Sequence, residues 1–163
     1  MKTLFLIRHA KSSWGNQDLK DADRPLNDRG RKDAPLMARR MASNWAPPDG
    51  FFCSRALRAR ETANIMNQFW WKDREITIDG KLYEEPASSI LNIIAKKTEE
   101  FDSLALVFHN PTITYLSNVL ASLTIPNIPT CGIVILKSQA NDWKSVQPGK
   151  CELIDFDFPK REH

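Results

Sequence analysis

Short apolar segments alternate along this chain with longer segments in which apolar residues recur at helical spacing. The apolar segments cover residues 4–7, 51–53, 76–78, 104–108, 133–136 and 153–156. Short apolar runs bounded by charged or turn-forming residues are typical of strands buried in a sheet. Their alternation with helical patterns predicts an α/β fold with a mostly parallel sheet.

Four helices are predicted between these strands. The first begins after Asn27 and the second after Ser54, because both side chains suit an N-cap. The third begins near Ser88 and the fourth at Asn110-Pro111. The residues expected to face the core are Ala34, Ala38, Met41 and Trp45, then Ala59, Ala63, Met66 and Trp70, then Leu91, Ile94 and Ala95. Pro35 is expected to kink the first helix or to split off its first turn.

The connections between the elements refine this fold. The last two strands are joined without a helix, which indicates an antiparallel pair at one edge of the sheet. The polar segment 11–25 has no periodicity, and long loops of this kind are often functional. We therefore expect a single domain over residues 1–163, built as a three-layer α/β/α sandwich whose mostly parallel sheet has an antiparallel edge.

Composition excludes several classes of protein. The net charge of +3 is too small to indicate a nucleic-acid or membrane partner. Three widely spaced cysteines, an odd number, suggest neither a disulfide framework nor a zinc site. Only five uncharged residues separate Lys2 from Arg8, which is too few for a signal peptide. The expected location is the cytoplasm.

Cationic side chains follow three of the predicted strands. Arg8 and His9 end the first strand, Arg58 lies in the helix after the second, and His109 ends the strand 104–108. The carboxyl ends of parallel strands meet at one edge of a sheet, where such folds bind ligands. Arginine side chains and helix amino ends suit a tetrahedral dianion. The sequence thus predicts a phosphate site, in which flanking cations lower the pKa of His9 and leave a neutral, nucleophilic imidazole.

Each of these residues also has an ordinary structural explanation. Arg8 and His9 could be a surface pair, Arg58 a solvated helix residue, and His109 a core residue or a cap. Their placement at the ends of distinct strands favours the phosphate site. Zinc normally takes three or four protein ligands, and arginines repel a cation, so no metal or other cofactor is expected.

Four segments resemble the motifs of the histidine phosphatase superfamily, and they occur in the family's order. The segment 6–10 is similar to its Arg-His-Gly signature, 25–30 to its Leu-Thr-x-x-Gly helix start, 54–63 to its Ser-x-x-x-Arg-Ala-x-x-Thr-Ala block, and 107–111 to its second-histidine motif. The Arg-His-Ala-Lys-Ser-Ser-Trp opening is most similar to the SixA-type phosphohistidine phosphatases of this family.

The resemblance implies a metal-independent phosphatase. His9 would be the nucleophile, and Arg8, Arg58 and His109 would surround the phosphoryl group. Ser12 is a further candidate for substrate binding. The implied substrate is phosphohistidine on a protein, such as a histidine-phosphotransfer domain. A small-molecule phosphomonoesterase and a non-catalytic phosphate-binding module remain the alternatives.

Several positions depart from the family pattern. Ala10 and Phe108 replace glycines, and Gly15 stands where mutases of this family carry a phosphate-binding asparagine, which argues against a mutase. The general acid is left open. Its candidates are Glu84, Glu85, Asp18 and Asp21, and a phosphohistidine substrate could need none.

Overall fold

The computed structural model describes residues 1–97 and 99–163, which form a six-stranded sheet flanked by helices. The strands are β1 (Lys2–Arg8), β2 (Gly50–Cys53), β3 (Thr77–Ile78), β4 (Ser103–Phe108), β5 (Ile133–Ser138) and β6 (Cys151–Asp157). They lie in the order β3-β2-β4-β1-β5-β6. The first four strands are parallel, whereas β5 is antiparallel to both β1 and β6. The predicted mostly parallel sheet with an antiparallel edge is confirmed.

Helices cover both faces of this sheet. They are α1 (Asp28–Asn44), α2 (Leu57–Met66), α3 (Ala87–Ala95) and α4 (Thr112–Ala121), and α2 continues as a π-helical turn over Asn67–Trp71. Phe5 and Ile7 of β1 pack on the side of α1 and α2. Leu4 and Leu6 pack on the side of α3 and α4. Because both faces are buried, the central strands are apolar without alternation.

Several local predictions differ from the structure. Of the two outcomes expected at Pro35, the splitting off of the first turn of α1 does not occur, since the helix runs unbroken through Pro35 between the fully buried Ala34 and Met37. Ser54 is not a cap, because α2 begins three residues later with Ala56 as its N-cap residue. In α3 the buried residues are Ile90, Ile93 and Ile94, while Leu91 and Ala95 are half-buried. These errors arose where tertiary packing overrides local preference.

The start of α1 supports the loop that follows β1. The Asn27 side chain accepts a hydrogen bond from the Gly30 N–H at 2.9 Å, which confirms the predicted N-cap. The Asn27 N–H donates to the Lys11 carbonyl at 3.0 Å. A Cβ atom at Gly30 would lie 2.1 Å from that same carbonyl oxygen. The helix therefore packs directly on the backbone two residues after His9, and the contact requires glycine.

The segment between β1 and α1 is more ordered than its polar sequence indicates. Ser12 forms an antiparallel bridge with Leu26, and Asp21–Asp23 forms one 3-10 turn. The Leu26 N–H donates to the Glu61 carboxylate on α2 at 3.0 Å. The loop is thus fastened at both ends. Within the described residues, no helix is long and apolar enough to cross a membrane.

Candidate active site

His9 is fixed at the carboxyl end of β1 by its backbone and by its ring. Its N–H donates to the Phe108 carbonyl at 3.2 Å, and its carbonyl accepts from the Cys131 N–H at 3.0 Å. The ring Nδ1 lies 2.8 Å from the Ala10 carbonyl. A carbonyl oxygen can only accept, so Nδ1 carries the proton and Nε2 keeps its lone pair.

The Ala10 carbonyl that orients this ring is itself held in place. The Ala10 N–H donates to the Thr62 hydroxyl at 3.0 Å, and that hydroxyl donates to the Arg58 carbonyl at 2.7 Å. Thr62 and Ala10 are fully buried. The nucleophile candidate and Arg58 are therefore tied to one helix, α2, through a single threonine.

The electrostatic environment keeps His9 neutral. Its side chain is buried, and this desolvation lowers its pKa to about 3. The hydrogen bond to the Ala10 carbonyl opposes the shift, while His109, Arg58 and Arg8 add to it. Burial disfavours a charged imidazolium, and neighbouring cations disfavour it further. At neutral pH the ring is therefore uncharged, with a free Nε2. This is the state that a nucleophilic histidine needs.

His109 lies beside His9 at the end of β4. The two ring centroids are 5.1 Å apart. His109 Nε2 lies 2.7 Å from the Ser54 hydroxyl, which also accepts from the Ala56 N–H at 3.2 Å. Burial lowers the pKa of His109 to about 4, with a smaller contribution from Arg58. The hydroxyl expected to cap α2 instead fixes the second histidine.

Each of the two predicted arginines uses only some of its N–H groups for hydrogen bonds within the protein. Arg8 Nη1 donates to the Ile128 carbonyl at 2.8 Å. Arg58 donates through Nη1 to the Asp21 carbonyl at 2.8 Å and through Nη2 to its carboxylate at 3.1 Å. The Nε atoms of both arginines are buried and have no partner among the described residues. Charged N–H donors of arginine are of the kind that bind anions strongly.

A third arginine, Arg24, belongs to the same cluster and was missed from sequence. It is 7% exposed. Its Nη1 donates to the Ser12 hydroxyl at 2.8 Å, and its Nε donates to the Asp21 carboxylate at 3.2 Å. A sequence feature that could have pointed to Arg24 is its position directly before the segment 25–30, which resembles a motif of the family. Ser12 is therefore linked to this cluster by a buried hydrogen bond from the charged Arg24 side chain.

Asp21 joins Arg24, Arg58 and Tyr83, whose hydroxyl also donates to its carboxylate. Partial desolvation raises the pKa of Asp21, but the hydrogen bonds from Tyr83, Arg58 and Arg24 outweigh it and lower the pKa to about 2. Asp21 is then ionised at neutral pH and has no proton to give. Its geometry is that of a group that positions arginines.

All five predicted site residues meet at one cavity of about 200 Å³. Its lining includes Arg8, His9, Ser12, Arg24, Arg58 and His109, together with Lys11, Trp14, Asn110 and Thr130. The cationic lining suits a tetrahedral dianion. In the described parts of the chain, no group of three or more histidine, cysteine, aspartate or glutamate residues could hold a metal ion.

A second cavity of about 310 Å³ adjoins the first and shares Arg58, His109 and Asn110 with it. Three of the four candidate acids, Asp21, Glu84 and Glu85, line this second cavity. Glu84 has a backbone φ of 61°, a left-handed conformation that non-glycine residues seldom adopt. Asp18 is exposed in the loop and lines neither cavity. Three of the acid candidates thus lie together on one side of the phosphate cavity.

The sequence of this chain is similar to those of known proteins. Residues 4–89 match the sequence model of the histidine phosphatase superfamily, branch 1. The chain belongs to the histidine phosphatase superfamily. An uncharacterized protein of Mycobacterium tuberculosis is 30% identical over 94% of this chain and 100% of its own length.

Solved structures of named phosphatases have the same fold. A candidate phosphohistidine phosphatase SixA from Agrobacterium tumefaciens superposes with a TM-score of 0.82 at 27% identity, over 97% of this chain and 98% of that one. The predicted resemblance to SixA proteins is confirmed. A mycobacterial glucosyl-3-phosphoglycerate phosphatase shares the fold with a TM-score of 0.74 at 14% identity, over 97% of this chain and 100% of its own. Proteins with this fold therefore include one named for phosphohistidine and one named for a small phosphate compound.

Proposed function

We propose that this histidine phosphatase hydrolyses phosphohistidine on a protein through a covalent phosphohistidine intermediate at His9. The observation that carries the proposal is the buried, neutral His9 ring, whose Nδ1 is bound to the Ala10 carbonyl and whose Nε2 is free. The likeness to the Agrobacterium tumefaciens SixA protein supports the substrate class. Residues 1–163 act in this proposal as one domain of the family, in a reducing, cytoplasmic compartment.

The first step is attack of His9 Nε2 on phosphorus. A new N–P bond forms, and the N–P bond to the substrate imidazole breaks, with its electron pair staying on the substrate nitrogen. Arg8, Arg58 and His109 stabilise the charge on the phosphoryl oxygens, and Ser12 binds substrate together with Arg24. Water then attacks the phosphorus of phospho-His9, which releases inorganic phosphate and returns neutral His9.

The identity of the leaving group decides how much acid assistance is required. An alcohol leaves as a strongly basic alkoxide unless an acid protonates it. A phosphorylated imidazole with a protonated ring leaves as neutral imidazole, whose conjugate acid has a pKa of about 6.5. Asp21, which meets Arg58 directly, is ionised and supplies no proton. Glu84 and Glu85 remain acid candidates at the second cavity, and phosphohistidine has the least need of them.

A small-molecule phosphomonoesterase is the second candidate function. The second cavity of about 310 Å³ falls within the range of roughly 300–1,000 Å³ that suits small ligands. The fold shared with the mycobacterial glucosyl-3-phosphoglycerate phosphatase is compatible with this alternative. A phosphate-binding module without activity is a further alternative, but such a module has no use for a free nucleophilic nitrogen.

The test compares a histidine-phosphotransfer domain, phosphorylated chemically on histidine, with a phosphoserine peptide. We expect the larger kcat/KM for phosphohistidine and an acid-labile phosphate on His9 when turnover is quenched and mapped by mass spectrometry. His9→Ala is expected to lose activity by several orders of magnitude, as loss of a covalent catalyst does.

The controls separate the alternatives. His163→Ala removes a half-exposed histidine that pairs with Asp157 and lies outside both cavities, and it should retain activity. Faster hydrolysis of phosphoserine would favour the monoesterase. Activity of His9→Ala above a few per cent would overturn the nucleophile. Binding of phosphate without turnover of any substrate would favour the non-catalytic module.

A further inference from the structure

Trp14 stands out from the rest of the loop after β1. Its side chain is 70% exposed, yet it lies at the phosphate cavity rather than on a remote surface. Isolated exposed apolar residues are common on proteins and need no explanation by themselves. A large exposed aromatic ring in the lining of a cationic cavity is different, because it lies where a ligand of that cavity can contact it.

The indole ring is held in place before any substrate arrives. The guanidinium carbon of Arg24 lies 3.5 Å from the Trp14 ring centroid, the geometry of a close cation–π contact. Arg24 is in turn bound to Ser12 and Asp21. One face of the ring therefore rests on a buried arginine, while much of the remaining surface is open. Fixing a side chain in advance reduces the entropy that binding would otherwise cost.

The size of the phosphate cavity indicates what would meet this open surface. At about 200 Å³ it is smaller than pockets that enclose whole small ligands, and the adjoining cavity of about 310 Å³ adds room for the group that carries the phosphate. The phosphate cavity can take a phosphorylated side chain, whereas the polypeptide that carries the side chain must lie at the mouth. Tryptophan is enriched among the residues that dominate protein interfaces, because its ring offers a large apolar area and one N–H donor.

We propose that Trp14 contacts the polypeptide next to the phosphorylated residue and so determines a preference for phosphoproteins over small phosphates. The inference rests on the proposed function, since it requires a protein substrate. A competing explanation is that Trp14 only shields Arg24 from water. That role would affect every phosphorylated substrate in the same proportion, which makes the two explanations separable.

The experiment measures kcat/KM for phosphohistidine in two forms that have the same leaving group. One is a histidine-phosphotransfer domain phosphorylated on histidine, and the other is free phosphohistidine. In Trp14→Ala, the ratio of the protein value to the free value is expected to fall about tenfold or more, mainly through KM, as for an interface residue of high importance. Trp14→Phe keeps an aromatic face and is expected to restore most of the ratio.

A matched control is available on α4. Tyr115 is 65% exposed and lines neither cavity, so Tyr115→Ala is expected to leave both values unchanged. An equal loss on both substrates in Trp14→Ala would overturn the inference and assign Trp14 to the support of Arg24. An unchanged ratio without any loss would also overturn it. Wild-type protein that fails on free phosphohistidine as well as on the protein would refute the proposed function itself.

Discussion

Lowering the pH from 7.5 to 5.0 is expected to destabilise this protein through His9 and His109. Burial lowers the pKa of His9 to about 3 and that of His109 to about 4, whereas an exposed histidine in the unfolded chain titrates near 6.5. Below about pH 6.5, His9 and His109 are therefore protonated in the unfolded chain but stay unprotonated in the folded protein. Protons then favour unfolding, and stability is lost progressively until the pH falls to the folded pKa values.

The size of the effect follows from the same values. Between pH 6.5 and the folded pKa, each such histidine costs about 1.4 kcal/mol of unfolding free energy per pH unit. At pH 5.0 the difference is about 1.5 units, so His9 and His109 each contribute a loss of about 2 kcal/mol. This is a large share of the roughly 5–15 kcal/mol that holds a typical domain together.

Urea unfolding at pH 7.5 and pH 5.0 measures this loss. The buried indoles of Trp70, Trp71 and Trp143 give the fluorescence signal. His9→Asn is expected to lose about 2 kcal/mol less than the wild type between the two pH values, because it removes one group that the folded state keeps unprotonated.

His109→Asn is expected to behave in the same way. His163→Asn serves as the control, because it removes a half-exposed histidine outside the site. This variant should lose as much unfolding free energy between pH 7.5 and pH 5.0 as the wild type. Equal acid losses in His9→Asn and the wild type would refute the reasoning. They would mean that His9 accepts a proton in the folded protein, which also weakens its proposed role as a neutral nucleophile.

Three further predictions concern the site and its support. Arg8→Ala and Arg58→Ala are each expected to lower kcat/KM for an aryl phosphate about 10²-fold, the scale for one preorganised charged donor. A variant that stays within threefold of the wild type would place that arginine outside the site. Gly30→Ala is expected to cost roughly 1–3 kcal/mol in thermal unfolding, because its Cβ would lie 2.1 Å from the Lys11 carbonyl oxygen. An unchanged melting temperature would show that the loop yields easily. Activity is expected to persist after exhaustive chelation, and a loss restored by a divalent ion would contradict the metal-free mechanism.

The parts of the site that could be predicted from sequence are those fixed by buried strands. A strand covered on both faces must be apolar throughout, so its end is visible where charge begins, as at Arg8 and His109. Parallel strands then bring these ends to one edge whatever the details of the loops. That is why His9, His109 and Arg58 could be placed together without a structure.

The remaining parts depend on how segment 11–25 folds, and its sequence has no periodic signal. Arg24 and Asp21 come from this segment, and nothing in their spacing shows that the loop returns to the site. Ser54 was placed wrongly for a related reason. A serine before a helix suggests a cap, whereas its actual partner, His109, lies 55 residues away in the chain and becomes visible only in the folded protein.

Asp21 is the loop residue that orients two arginines of the site. Its carboxylate accepts from Arg24 and Arg58 and fixes two flexible side chains that would otherwise lose entropy when substrate binds. The same carboxylate would repel a phosphoryl dianion if it faced the anion without intervening donors. The positive charge of the arginine side chains reduces that repulsion. Arg58 binds Asp21 through its Nη atoms, and its buried Nε atom has no partner among the described residues. The Nη contacts thus fix the guanidinium group of Arg58 at the edge of both cavities, where our proposal places the phosphoryl group. This arrangement produces a preorganised cationic site from a loop that has no regular structure over most of its length.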